Sequence, residues 1–108
     1  MFLINAKYLI PKGYDGFVVF PFVFVRNQNQ KVNLIFLNHE KIHLRQQLEL
    51  LILPFFILYF IEYLIRFIQY RNKNLAYRNI SFEREAYGNE KDLYYLQQRP
   101  FWNFLKFI

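Results

Sequence analysis

The sequence predicts an α+β domain: a short antiparallel sheet followed by three helices. Three observations carry this reading. The N-terminal quarter is β-branched and aromatic and is punctuated by Pro and Gly, the hydrophobic period changes to a helical one at Val32, and Pro or Asn stands at each later break. A chain of 108 residues fits one domain.

Residues 1–10 read as a short strand. Pro11-Lys12-Gly13-Tyr14-Asp15-Gly16 is turn chemistry, with one Pro and two Gly in six residues. Phe17–Val25 is strand-like but holds Pro21, which cannot donate to a ladder, so it is an edge strand or two short strands. Arg26–Lys31 is a polar loop. Leu37, Leu44, Leu48 and Leu51 then share a narrow arc of a helical wheel, which predicts a core stripe. Asn33 is placed to cap that helix, and Pro54 kinks or ends it near Leu53. A second helix, Phe55–Tyr70, is apolar nearly all round. Arg71–Asn74 breaks it. A third helix runs from about Ile80 to Gln98, capped by Asn79 or Ser81 and stopped by Arg99-Pro100. Phe101–Leu105 forms an aromatic tail.

Composition narrows the chemistry. Without cysteine there is no disulfide, thiolate metal site or Cys nucleophile. With 55% hydrophobic residues the chain can bury a core, which excludes disorder. The net charge of +6 comes from singly scattered Lys and Arg, with no Gly-rich loop or helix-turn-helix pattern, so no nucleic-acid partner is expected. Arg66, Arg71, Lys73, Arg78 and Arg84 follow the most apolar segment, which fits an anionic membrane surface. A solvated basic face is an equal reading. The start lacks a basic region and a long apolar run, so no signal peptide is expected. The expected location is cytoplasmic, or peripheral to the cytoplasmic membrane.

The informative segment is Asn38-His39-Glu40-Lys41-Ile42-His43, an HExxH motif in a predicted helix, and it holds both histidines of the chain. Spacing i, i+4 puts the two imidazoles on one face, where they can bind one metal. Glu40 lies about 100° round the wheel from His39, near enough to reach a water on that metal without ligating it. The imidazole face is expected well away from the leucine stripe. The competing reading is two ordinary surface or core histidines.

A catalytic zinc needs a third protein ligand, here a carboxylate. The candidates are Asp15, Glu49, Glu62, Glu83, Glu85, Glu90 and Asp92. Glu49 is too close along the same helix, and Glu62 is expected to pair with Arg66 four residues on. That leaves Phe82-Glu83-Arg84-Glu85-Ala86-Tyr87, early in the third helix. The alternative for Glu83 is a helix-start carboxylate favoured by the macrodipole.

HExxH followed by a helix bearing E-x-x-A/C-D resembles the gluzincin metallopeptidases, including the prenyl-protein (CAAX) protease and β-lactam sensor-transducer families and the minimal minigluzincins. The resemblance spans about residues 17–90. It implies Zn²⁺ held by His39, His43 and Glu83, with Ala86 at the small position and Glu40 as general base. Tyr87 stands where those families carry Asp, and Lys41 departs from their uncharged middle positions. In that register Glu90 lies on the side of Glu83, and Glu85 faces elsewhere as a surface residue free to pair with Lys or Arg. Tyr77 and Tyr87 are candidate oxyanion donors. Phe22, Val23, Phe24 and Val25 resemble the edge strand before the zinc helix, which could hold an extended peptide by strand addition.

The expected function is therefore zinc-dependent peptide hydrolysis, with a peptide or protein substrate and a membrane surface as partners. Two other classes remain: a non-enzymatic small membrane-associated protein, and a zinc-binding domain without turnover. Topology bears on the first. Leu50–Ile61 is uncharged, but one crossing between His43 and Glu83 would put them on opposite sides of a bilayer, and two crossings need about 40 apolar residues. A metal site and a single span through 50–68 exclude each other, so core or interfacial burial of this segment is expected.

Overall fold

A computed structural model describes residues 2–6, 8, 10, 16–27 and 33–108. The Pro11–Asp15 part of the expected turn, Asp15 as a candidate ligand, and residues 28–31 of the polar loop lie outside the described residues. The architecture is α+β. Strands β1 (Phe2–Asn5), β2 (Gly16–Val19) and β3 (Phe22–Val25) precede helices α1 (Leu34–Leu50), α2 (Ile52–Tyr70), α3 (Lys73–Arg78), α4 (Ser81–Asn89) and α5 (Tyr95–Gln98), and a 3-10 turn closes the chain at Asn103–Phe107.

The sheet is mixed rather than antiparallel. Its order is β1-β3-β2, with β2 antiparallel and β1 parallel to β3. Pro21 splits the apolar run into two strands with Phe20-Pro21 at the bend, so β2 and β3 form a hairpin. That leaves the far side of β3 for β1. Phe22–Val25 is therefore the central strand, not an edge, and its ladder positions are taken on both sides. The edge beside the helices is β2. At its start Gly16 passes close to its neighbours: a Cβ there would stand 2.5 Å from the Phe24 carbonyl and 2.8 Å from the Phe36 ring, so only glycine fits.

Helix α1 begins where its cap predicts. The Asn33 side chain accepts from the Phe36 amide. Its buried positions are Asn38, His39, Glu40, Ile42, His43, Leu44, Gln46 and Gln47. The leucine stripe is not the core face: Leu44 packs on Val18, Val23 and Val25, but Leu48 and Leu51 are 52% and 71% exposed. The reason is that α1 lies between the sheet on one side and α4 on the other. Those two contacts enclose the motif residues and leave the side of Leu48 to solvent. Leu51 ends α1 with φ 63°, and α2 begins at the next residue, so Pro54 sits in the first turn of α2, where a missing amide is tolerated.

Helix α2 is not core. Phe55 is its one buried residue, packed with Ile80, Phe82 and Phe104. It ends at Arg71 in the left-handed region, and Asn72 caps α3 by accepting from the amides of Asn74 and Leu75. The single third helix that was expected is broken: α4 ends at Asn89 and α5 is a separate turn. Neither Asn79 nor Ser81 caps α4. The cap is supplied from α2, where Glu62 accepts from the Ser81 amide and hydroxyl. Glu62 therefore does not pair with Arg66, whose guanidinium donates to Gln69.

The position of the α1 core face yields a direct test. Ile42→Ala should lower unfolding free energy by about 2 kcal/mol or more, while Leu48→Ala should stay within about 0.5 kcal/mol, as read from denaturant midpoints. Equal losses would restore the leucine stripe as the core.

Candidate metal centre

The i, i+4 spacing on α1 brings Nε2 of His39 and Nε2 of His43 to 3.2 Å from each other. Helix α4 crosses the same face, and Glu83 in its first turn sets Oε1 3.2 Å from His39 Nε2 and 3.1 Å from His43 Nε2. All three residues are buried, and their ligand atoms lie within 4.8 Å of one another. Two imidazoles and a carboxylate bound at about 2.0–2.2 Å in a tetrahedral arrangement stand roughly 3.3 Å apart. The cluster already has that spacing, so these donors fit a metal ion.

Each ligand is held from behind. Glu90 sets Oε2 2.7 Å from His39 Nδ1. Gln46 sets Oε1 2.8 Å from His43 Nδ1 and passes its amide hydrogens to the Phe82 carbonyl and to Glu85. Tyr59 donates to Glu83 Oε2 at 2.6 Å, which leaves Oε1 toward the imidazoles. Such partners set ring orientation and ligand basicity. Asn38 fixes the far end of α4 by donating to the carbonyls of Asn89, Glu90 and Asp92, which a helix end otherwise leaves unsatisfied. The carboxylate behind His39 thus comes from residue 90, one turn beyond Tyr87. Tyr87 instead sets its ring edge on His39 at 4.5 Å, with the Arg78 guanidinium over its face.

Glu40 is buried beside the cluster, and among the described residues no hydrogen bond holds its carboxyl. Burial pushes its pKa up against the pull of His43 and His39. It lines a cavity of about 550 Å³ with His43, Glu83, Gly16, Phe17 and Val18, and with Phe55, Phe56, Tyr59 and Tyr63 of α2. Tyr77 is in the same wall, and burial keeps its hydroxyl protonated. Tyr87 donates its hydroxyl to that of Tyr77 at 3.4 Å. Of the two tyrosines singled out in the sequence, Tyr77 faces the cavity and Tyr87 supports His39. Lys41 is exposed and away from the site.

Glu85 is the main correction. It points away from the metal cluster, as its register predicts, but into the interior, where it is fully buried. Arg99 donates to it through Nε and Nη2, and Tyr95 and Gln46 also donate to it. Glu49 takes Nη1 of the same arginine. Burial alone would raise the Glu85 pKa, and these donors together lower it. The predicted partner type was right and the predicted surface location was wrong. Spacing could have found Gln46, three residues after His43 on the same face. No spacing rule ties Tyr59 to Glu83, 24 residues away.

No protein family matches the chain, and neither does any curated protein or solved structure.

Two predictions follow from the charges. Burial opposes a proton on His43, but the facing Glu83 carboxylate outweighs it and raises the pKa to about 9. Burial likewise opposes the Glu83 charge, and the two imidazoles outweigh it and lower its pKa. The His43 contribution is full below pH 6.5 and is lost as pH rises toward 9. That of Glu83 is full above 4.5 and is lost as pH falls. Metal-free protein should therefore be most stable between those two values, with melting temperature falling on both sides. A melting temperature flat from pH 6.5 to 9 would contradict the pairing. Separately, Glu85→Ala leaves Arg99 buried with only Glu49 and should cost roughly 3 kcal/mol in chemical denaturation, whereas a surface carboxylate would cost under about 0.5 kcal/mol.

Proposed function

We propose that this protein is a zinc-dependent peptide hydrolase. The observation that carries the reading is the convergence of two imidazoles and one carboxylate at the edge of an apolar cavity, with a second carboxyl group, Glu40, buried beside them. His39, His43 and Glu83 are the zinc ligands. Two neutral imidazoles and one carboxylate match the donor set of catalytic zinc, and three protein ligands leave a position open. Zinc in that position supplies Lewis-acid polarisation of a scissile carbonyl and acidifies a water.

The remaining work belongs to the chain. Glu40 takes a proton from the attacking water and delivers it to the leaving amine, and burial, which pushes its pKa up, makes it a better proton acceptor than an exposed carboxylate. Glu90 and Gln46 keep the histidine rings turned so that Nε2 of each faces inward. Tyr77 presents a protonated hydroxyl to the cavity, suited to a developing oxyanion. The peptide lies along β2 rather than β3, because Gly16–Val18 form the sheet edge that lines the cavity. Gln47 already holds the Val18 carbonyl, which leaves the Gly16–Phe17 end of that edge to the substrate. Phe17, Phe55 and Phe56 give the pocket an apolar preference.

The test is a set of four variants assayed for zinc content and for cleavage of a peptide library. Wild type should carry close to one zinc per chain. His43→Ala and Glu83→Ala should lose it by orders of magnitude. Glu90→Gln should weaken it about 10- to 100-fold. Glu40→Gln should keep zinc and the fold and lose hydrolysis. Zinc retained in both ligand variants would sink the site, and cleavage retained in Glu40→Gln would sink the assigned base. Zinc bound with no cleavage of any peptide would identify a binding domain without turnover.

A further inference from the structure

Helix α2 is turned inside out. At about 100° per residue, Leu53, Ile57, Phe60, Ile61, Leu64 and Ile68 share one side. All six are between 45% and 69% exposed. The opposite side carries the polar groups: Glu62 caps Ser81, Tyr59 holds Glu83, and Arg66 bonds Gln69. A helix on the surface of a water-soluble domain shows the reverse arrangement.

The surroundings extend the apolar face. Leu48 and Leu51 are exposed where α1 meets α2, and Trp102 lies against the same end through its bond to the Glu49 carbonyl. At the other end of α2 stand Arg71 and Lys73, both exposed. An aromatic-edged apolar face with basic residues beside it, on a chain of net charge +6, complements an anionic lipid surface.

We infer that α2 lies in the plane of an anionic lipid membrane, with its Leu53–Ile68 face among the acyl chains. The helix is 19 residues long and apolar enough to cross a bilayer by length and composition. It is fastened to α4 by Phe55, Tyr59 and Glu62, so a crossing would carry the buried Glu83 cluster into the hydrocarbon, where charged groups are costly. An in-plane helix keeps those contacts and buries only the apolar side. Phe55, Phe56, Tyr59 and Tyr63 of the same helix also wall the cavity, so docking sets the cavity beside the lipid surface. The inference goes beyond the hydrolase reading and does not depend on it.

The experiment is cosedimentation of the full chain, in chelator, with vesicles of phosphatidylcholine alone and of phosphatidylcholine mixed with phosphatidylserine. The mixed vesicles should pellet the protein, the neutral ones should pellet far less, and alkaline carbonate should release it. Ile57→Glu combined with Leu64→Glu should weaken binding by tenfold or more with an unchanged circular dichroism spectrum, and Lys73→Gln should weaken it about fivefold. Three results would overturn the inference. One is protein left in the supernatant with anionic vesicles, including a dimer that the double variant dissolves, which would give the face to a second copy. Another is equal binding by the double variant. The third is resistance to carbonate, which would mean a span.

Discussion

A buried carboxylate is tolerable only when donors surround it, and Glu83 sets that requirement for this fold. Both of its oxygens are satisfied, one by Tyr59 and the other beside two imidazoles. Those partners come from α1 and α2, so α1, α2 and α4 must meet at one place. The neighbouring Glu85 repeats the requirement with Arg99, which ties the C-terminal segment to the same layer. Gln46 bridges the two carboxylate systems, touching His43 on one side and Glu85 on the other. The middle of the molecule is thus a connected polar layer, in which Glu83, Glu85 and Gln46 rigidify one another through the donors and acceptors they share.

That layer explains where the apolar side chains went. The faces of α1 that would ordinarily pack with leucine are taken by His39, His43, Gln46 and Gln47, and Gln47 clamps the β2–β3 hairpin through the Val18 carbonyl and the Phe20 amide. Among the described residues, oil-like packing gathers in two small clusters, one under the sheet around Val23 and one around Phe82. The inner side of α2 serves the polar layer through Glu62 and Tyr59, and its outer side keeps the apolar residues.

Local chemistry was legible in the sequence, and partner choice was legible only in part. The Asn33 cap, the histidine pair and the break at Asn72 all depend on residues within about two helical turns of one another, whereas Glu83 is singled out by the family resemblance and meets partners 24 to 44 residues away. The errors came where a distant group took over. Glu62 has Arg66 on its own helix, but Ser81 offers two donors at a helix start, and these won. Glu85 reads as surface because its partner, Arg99, lies beyond a helix break that periodicity does not reveal. The leucine stripe is a correct periodicity attached to the wrong interior, since nothing local says that the imidazole face is buried too. Pro21 leaves an edge strand or two short strands open, and the second holds; the edge position given to Phe22–Val25 by the family resemblance fails because the proline sits in the bend and leaves both sides of β3 free to pair.

The distribution of buried groups also shapes the heat capacity. Among the described residues, twelve buried hydrophobic side chains stand beside eleven buried polar or charged ones. Apolar surface raises the heat capacity when it meets water and polar surface lowers it. In the free protein much of the apolar surface of α2 is already hydrated before unfolding begins. A chain built this way should show a small increment on unfolding for its length and a broad, shallow stability curve. Such a protein loses little on cooling and gives way gradually on warming, because the term that normally bends the curve at both ends has been moved to the outside of the molecule.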